Sequence, residues 1–368
     1  MVFKGLFVDD LDDIYATLLS SNGEEGLQIM HLKLDEAATL AGQIFDSQPD
    51  LVALDFRLDE NPEAIDPQKS YNGSGLAQLL RDKTSVSPEY DFPIVLISGE
   101  DKLERFYRPD GTAHDLFDRI YKKDEVANTQ DVAKAQLVSL CKGYVALKAV
   151  WDRGDERLSV LGLNAAELPI VFNQELRAAI LNAGAPHIAA RTLLKGVIDR
   201  PGILLSDNEL AARLGVTSIE PLIQKLGEQH IQYKGIFHEG WRRWWAHRLD
   251  EWAMGVLKAR PTTLTGTVRA QKLRDELGVA VEPAYSTWNK SSDERFAFSC
   301  CVCDRAGEIR HSVAAFDPQT PKYSIRKRIC WDCIQTGRNN DKKIEVDEVD
   351  ANLAAEVMDK PRENDASA

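Results

Sequence analysis

The stretch Lys4-Gly5-Leu6-Phe7-Val8-Asp9-Asp10 is a short apolar run that ends in two adjacent acids. Its length suits a buried strand, and carboxylates placed directly after the last apolar residue stand at that strand's carboxyl end. The arrangement recurs along the chain. Leu51–Leu54 is followed by Asp55, Phe92–Ile97 (led by Pro93) by Ser98, and Leu116–Tyr121 by Lys122. A further run, Leu27–Leu32, follows Gly23 and Gly26. Between the runs, Leu11–Leu19, Glu36–Phe45 and Asn72–Arg81 have helical patterns. Strands alternating with helices imply an α/β unit with a parallel sheet covered on both faces. Such sheets bind ligands at the carboxyl ends of their strands, so Asp9, Asp10, Asp55, Ser98 and Lys122 converge on one crevice.

Three carboxylates so close repel one another, and a hard divalent cation such as Mg²⁺ holds them ionised. A metal-bound phosphoryl oxygen then places Asp55 as nucleophile, forming an aspartyl phosphate. Lys122 and the Ser98 hydroxyl contact the equatorial oxygens, and Gly99 leaves the approach open.

The ordered set Phe-Val-Asp-Asp at 7–10, Leu-Asp at 54–55, Gly75 in the following helix, Ile-Ser-Gly at 97–99 and Lys122 resembles the receiver domain of bacterial two-component response regulators. The resemblance covers residues 1–125. It implies a doubly wound, flavodoxin-like (βα)5 fold with a five-stranded parallel sheet. Asp10 would bind Mg²⁺ directly and Asp9 through water, with a backbone carbonyl from Arg57. Asp55 would be phosphorylated by a histidine kinase, Ser98 would be the switch hydroxyl, and Lys122 the phosphate contact. This chain departs from the pattern at Lys123, where the family usually has proline, and at Arg119, where it tends to carry a switch aromatic. An acidic insertion after Arg57, with Asp59, Glu60, Glu63 and Asp66, stands beside the site. The protein is expected to catalyse phosphoryl transfer to its own aspartate without being a conventional enzyme.

Residues 126–153 read as a connector helix leaving this domain, and 154–297 as a mainly helical middle domain punctuated by prolines. Within it, 204–230 is a candidate helix-turn-helix: Ser206 with Glu209 fits a capping box, Leu210 and Leu214 give a buried stripe, and Gly215 turns the chain. The second helix presents Ser218, Glu220, Gln224 and Lys225, a poor electrostatic match for DNA. Downstream, Trp241, Trp244, Trp245 and Trp252 are interleaved with Arg242, Arg243 and Arg248. Trp241, Trp245, Leu249 and Trp252 share helical spacing, which favours core or partner contact over stacking on bases.

Residues 298–338 form a cysteine module. Cys300-x-x-Cys303 and Cys330-x-x-Cys333 have the spacing of a closed structural Zn²⁺ site of the zinc-ribbon kind. Cys301 reads as a spectator, His311 as a less favoured alternative ligand, and Cys141 as a buried small hydrophobe. Arg326, Lys327 and Arg328 precede the second pair and read as a solvated basic strand. Residues 344–368 are acidic and read as a disordered tail.

The chain has 368 residues, 43% of them hydrophobic, which supplies cores for two or three domains. With no signal pattern and no membrane-length apolar run, a cytoplasmic location is expected. The net charge of −13 is uneven: −12 over residues 1–150, +7 over 186–343 and −6 over 344–368. A basic centre keeps nucleic acid open as a partner. The leading expectation is therefore an atypical response regulator in a phosphorelay, passing its signal to a helical, zinc-containing output region and a downstream protein partner. The alternative is a nucleic-acid-binding effector on a receiver-like scaffold. A hydrolase acting on a small phosphate ester ranks last, because no substrate pocket can be named.

Overall fold

A computed structural model describes residues 2–11, 13–21, 26–61, 69–108, 111–317, 320–321 and 323–360. The chain forms two compact units. The first comprises residues 1–164, 176–194 and 234–241, and the second 165–175, 195–233 and 242–368.

In the first unit β1 (Phe3–Val8), α1 (Ile14–Leu19), β2 (Leu27–Leu32), α2 (Ala37–Asp46), β3 (Leu51–Leu54), α3 (Gly73–Val86), β4 (Ile94–Ser98), α4 (Glu100–Lys102), β5 (Arg119–Lys122) and α5 (Lys123–Asn128) follow in order. The sheet is wholly parallel, ordered β2-β1-β3-β4-β5. The strand order reverses between β1 and β3, and doubly wound sheets open their ligand crevice at that point. β3 and β4 are buried on both faces, which explains their unbroken apolar sequences. Each such buried Leu, Ile or Val side chain contributes roughly 1.5–3 kcal/mol. This is the doubly wound, flavodoxin-like (βα)5 architecture expected for the N-terminal part.

Helix α6 (Gln130–Ala149) stands where a departing connector was expected. It packs within the first unit, burying Leu137, Leu140, Cys141, Tyr144 and Leu147. Burial pushes the Cys141 thiol well above its ordinary range, as suits a small hydrophobe. Of the next helices, α7 (Leu168–Val171) lies in the second unit, α8 (Gln174–Leu181) enters the first at Leu176, and α9 (Pro186–Leu193) belongs to the first. A buried polar network ties α6 and α9 to the sheet. Arg81 pairs with Asp91 (3.3 Å) and Asp118 (2.8 Å), Tyr144 donates to Asp118 (2.8 Å), and the His187 backbone N–H donates to Asp91 (2.7 Å). Segment 234–241 completes this unit. Phe237 lies where a side chain at Gly143 would be, with a Cβ there only 2.1 Å from its ring, so glycine is required. The Arg119 guanidinium lies 4.4 Å over the Trp241 ring.

The second unit is helical with short ribbons. It contains β6 (Leu204–Leu205), α10 (Asp207–Leu214), α11 (Ile223–Glu228), β7 (Trp244–Trp245), α12 (Ala246–Leu257) and α13 (Gly266–Leu277). Then follow β8 (Phe296–Ser299), β9 (Ala306–Glu308), β10 (Ser312–Ala314), β11 (Arg328–Cys330), α14 (Trp331–Gln335), α15 (Arg338–Asp341) and α16 (Ala351–Asp359). Two expectations are corrected here. Trp244 and Trp245 are strand residues paired with Leu205 and Leu204, so the helix begins only at Ala246 and Trp241 is not on it. Residues 351–359 are helical where a disordered tail was expected, because Ala354 and Val357, one turn apart, are buried in the core around the cysteines. Residues 361–368 of that tail, like Glu63 and Asp66 of the acidic insertion, lie outside the described residues.

Candidate functional site

Asp9 and Asp10 directly follow β1, Asp55 follows β3, and Ser98 and Lys122 close β4 and β5. The parallel register brings these strand ends level: Asp55 N–H donates to Val8 O (2.9 Å), and Ser98 faces Lys122 across the ladder. Carboxylate oxygens of Asp9, Asp10 and Asp55 lie within 4.8 Å of one another. Asp55 is fully buried and Asp9 nearly so.

Buried carboxylate oxygens must be hydrogen-bonded or coordinated. Asp9 accepts from Leu11 N–H (2.9 Å) through Oδ1 and from Lys123 Nζ (2.6 Å) through Oδ2. Asp10 Oδ2 accepts the backbone N–H groups of Glu60 (2.7 Å) and Asn61 (2.8 Å). Asp55 Oδ2 accepts from Arg57 N–H and Lys102 Nζ, each at 3.2 Å. Among the described residues, Asp10 Oδ1 and Asp55 Oδ1 have no hydrogen-bond partner although both are buried. Two orphaned carboxylate oxygens in a three-acid cluster fit a hard divalent cation such as Mg²⁺. Burial pushes the Asp55 carboxyl above the ordinary aspartate range, opposed by the Lys123 and Lys102 charges.

The two adjacent lysines part at this edge of the sheet. Lys122 Nζ pairs with Glu100 (2.5 Å) and Glu125 (3.2 Å), outside the carboxylate cluster. Lys123, the first residue of α5, reaches inward to Asp9 and lies 3.8 Å from Asp55 Oδ1. Successive strand side chains point to opposite faces, so adjacent lysines at a strand end cannot both enter the crevice. With Lys123 as the site lysine, the residue three before it is Ile120, not Arg119, and its side chain is exposed.

Sequence reasoning also missed Lys102. Its Nζ bridges Asp55 Oδ2 (3.2 Å) and Glu60 Oε2 (2.6 Å), and although burial opposes it, these partners hold the ammonium above the ordinary lysine range. A lysine two residues into a polar helix start carries no signal of such a role. The Arg57 side chain pairs with Asp59 and lies 4.7 Å over the Phe106 ring. Ser98 Oγ is buried beside Asp55. Beside the site Gly73 must be glycine, since a Cβ there would come 2.2 Å from the Asp55 carbonyl oxygen.

The second cluster joins Cys300, Cys303, Cys330 and Cys333, whose sulfurs lie within 4.8 Å of one another. Cys300 and Cys333 are 3.9 Å apart, and Cys303 and Cys330 3.8 Å. A tetrahedron with 2.3 Å metal–sulfur bonds has edges of about 3.8 Å, so this thiol set fits Zn²⁺. Cys301 is outside the set, its thiol pushed up to about 12 by burial. His311 is also outside it: Nδ1 lies 2.7 Å from Glu308 and the ring packs on Trp288 and Trp331.

The candidate nucleic-acid features are largely spoken for. Ser206 caps α10 by accepting from Glu209 N–H (3.2 Å), but the Glu209 side chain accepts from Ser299 N–H (3.2 Å) instead of closing the box. On α11, Gln224 and Lys225 both bond Glu228. Arg242 pairs with Asp207 and Glu220, Arg248 with Glu167, and Arg326 with Asp347. Trp241, Trp244 and Trp245 are buried. Among the described residues, no helix is long and apolar enough to cross a membrane.

No family model matches the sequence, and no curated protein does. Solved structures similar to the chain include a response regulator receiver domain protein from Clostridium thermocellum, at 13% identity and a TM-score of 0.25, covering 40% of this chain and 98% of that one. The Legionella pneumophila response regulator LqsR is 13% identical with a TM-score of 0.27, covering 41% of this chain and 48% of its own. NtrX from Brucella abortus, in complex with ADP, is 16% identical with a TM-score of 0.28, covering 64% and 57%. The chain thus spans about half the length of the last two. The first unit has a doubly wound five-stranded parallel sheet with Asp9, Asp10 and Asp55 gathered at its carboxyl edge.

Proposed function

We propose that this protein is an atypical response regulator whose Asp55 accepts a phosphoryl group from the phosphohistidine of a partner histidine kinase. The observation that carries this reading is the buried pair of orphaned oxygens, Asp10 Oδ1 and Asp55 Oδ1, beside an inward-reaching lysine. Asp9, Asp10, Asp55 and the Arg57 carbonyl would hold Mg²⁺, which when bound neutralises charge on the phosphoryl oxygens. Asp55 supplies the nucleophilic oxygen. Lys123 and the Ser98 hydroxyl stand where the equatorial oxygens would accept hydrogen bonds. The chain thus promotes transfer to its own side chain and turns over no separate substrate. Cys300, Cys303, Cys330 and Cys333 would hold a structural Zn²⁺ that fixes the output unit, and phosphorylation would alter its contacts with a downstream protein.

Incubation with acetyl phosphate and Mg²⁺, followed by intact mass, tests the reading. A gain of one phosphoryl group that hydroxylamine removes supports an acyl phosphate. Absence of any gain, or a gain that hydroxylamine leaves in place, contradicts it.

A further inference from the structure

Two cations flank Asp55. Lys123 lies 3.8 Å from Oδ1, which has no hydrogen-bond partner among the described residues, whereas Lys102 lies 3.2 Å from Oδ2. If Oδ1 faces the cation, Oδ2 is the oxygen left to attack phosphorus. That oxygen already gathers the donors a phosphoryl group needs, Arg57 N–H and the Lys102 ammonium. Lys102 is not a drifting surface side chain. It is only 16% exposed, and Glu60 holds it at 2.6 Å. Glu60 is itself anchored, its backbone N–H and that of Asn61 both donating to Asp10 Oδ2. The segment after β3 is therefore pinned to the acid cluster by its backbone while its carboxylate aims a lysine at Asp55.

We propose that Lys102 is a second catalytic lysine of this site, which binds the phosphoryl group as it joins Asp55 Oδ2, with Glu60 as the residue that positions it. The inference rests on the phosphoacceptor reading above. With acetyl phosphate as donor, the bond between phosphorus and Asp55 Oδ2 forms as the bond between phosphorus and the acetyl oxygen breaks. The electron pair leaves on acetate, and no proton is transferred. Asp55 exchanges one negative charge for the two of the phosphoryl group. Lys102, held by Glu60 and already within hydrogen-bond reach of the attacking oxygen, meets that added charge from where it stands. A fixed ammonium aimed at developing charge acts with little reorganisation, which makes such groups effective.

The test compares loading rates of the full-length wild type, Lys102→Gln and Lys102→Arg with saturating Mg²⁺ and acetyl phosphate, read by intact mass, with thermal midpoints measured alongside. Lys102→Gln should load on the order of a hundredfold more slowly while its midpoint stays above the assay temperature, and Lys102→Arg should recover most of the rate. Lys102→Gln loading as fast as wild type, or faster, overturns the inference while leaving the phosphoacceptor reading intact. Equal slowing in both variants assigns the effect to side-chain shape and overturns it as well. A wild type that takes no phosphate removes both the reading and the inference.

Discussion

Lys123 Nζ sits 2.6 Å from Asp9 Oδ2, with Lys123 16% exposed and the Asp9 side chain almost fully buried. A charge-assisted contact of that length at a partly buried site is much stronger than the exposed pairs that Lys122 makes with Glu100 and Glu125. The neighbouring lysines should therefore differ sharply. Lys123→Gln should slow phosphoryl loading on the order of ten- to a hundredfold, whereas Lys122→Gln should stay within about twofold of wild type. A mass time course on the two variants checks this, and the reverse order would restore Lys122 as the site lysine.

Glu209 supplies a pH dependence of definite sign. Burial raises its carboxyl to about 7, despite the hydrogen bond it accepts from Ser299 N–H. The folded state thus holds a proton that the unfolded state has released between about pH 4.5 and 7, so ionisation costs stability as pH rises through that window. Glu209→Gln keeps an acceptor for Ser299 and removes the charge. The variant should match wild type near pH 4.5 and exceed it at pH 8 by at most about 3 kcal/mol in urea unfolding. Equal stability at both pH values would contradict the assignment.

Asp91 works in the opposite direction. Although burial pulls its carboxyl up, the His187 hydrogen bonds and the Arg81 charge hold it below the ordinary aspartate range. Its contribution is complete above the unfolded value, near pH 3.9, and is lost as pH falls through the depressed folded value. Asp91→Asn should cost about 3–5 kcal/mol at pH 7, because it leaves Arg81 buried with one partner fewer. The deficit should shrink on acidification below about pH 4. An unchanged difference at pH 2.5, followed by far-UV circular dichroism in urea, would refute the network's role.

The cysteine cluster is expected to contain one zinc per chain. Cys333→Ser should lose it, and chelation of wild type should do the same, lowering the thermal midpoint by about 2–4 °C for each kcal/mol of metal stabilisation removed. Metal analysis of the purified protein gives the stoichiometry directly. A zinc-free protein with an unchanged midpoint would show that the four thiols pack without an ion.

The parallel sheet and its acidic edge were legible because each buried strand is a continuous apolar run and each site acid follows one directly. The site lysine was not, because Lys122 and Lys123 are adjacent at a strand end and only the pleat decides which turns inward. Lys102 looks like any helix-surface lysine until Glu60, 42 residues away in sequence, comes beside it. Gly75 matched a family position, but the close approach falls at Gly73, whose Cα faces the Asp55 carbonyl. In the second unit, the i, i+4 spacing of Trp241, Trp245 and Leu249 mimicked one helix face, whereas Trp244–Trp245 is drawn into a ribbon with Leu204–Leu205. Acidic composition hid the short apolar face of α16.

The nucleic-acid alternative loses ground on the same pairing arguments, since Arg242, Arg248 and Arg326 are each matched by a carboxylate. Generic duplex DNA at about 0.15 M salt should therefore give no mobility shift with the full-length protein, and a shift that weakens as salt rises would revive that reading.

The most direct test of the central claim is to locate the phosphoryl group itself. After loading with acetyl phosphate and Mg²⁺, borohydride reduction should convert one aspartate to homoserine, and peptide mapping should place it at residue 55, with no conversion in Asp55→Asn or without Mg²⁺. Conversion at another aspartate, or none in the wild type, would contradict the account.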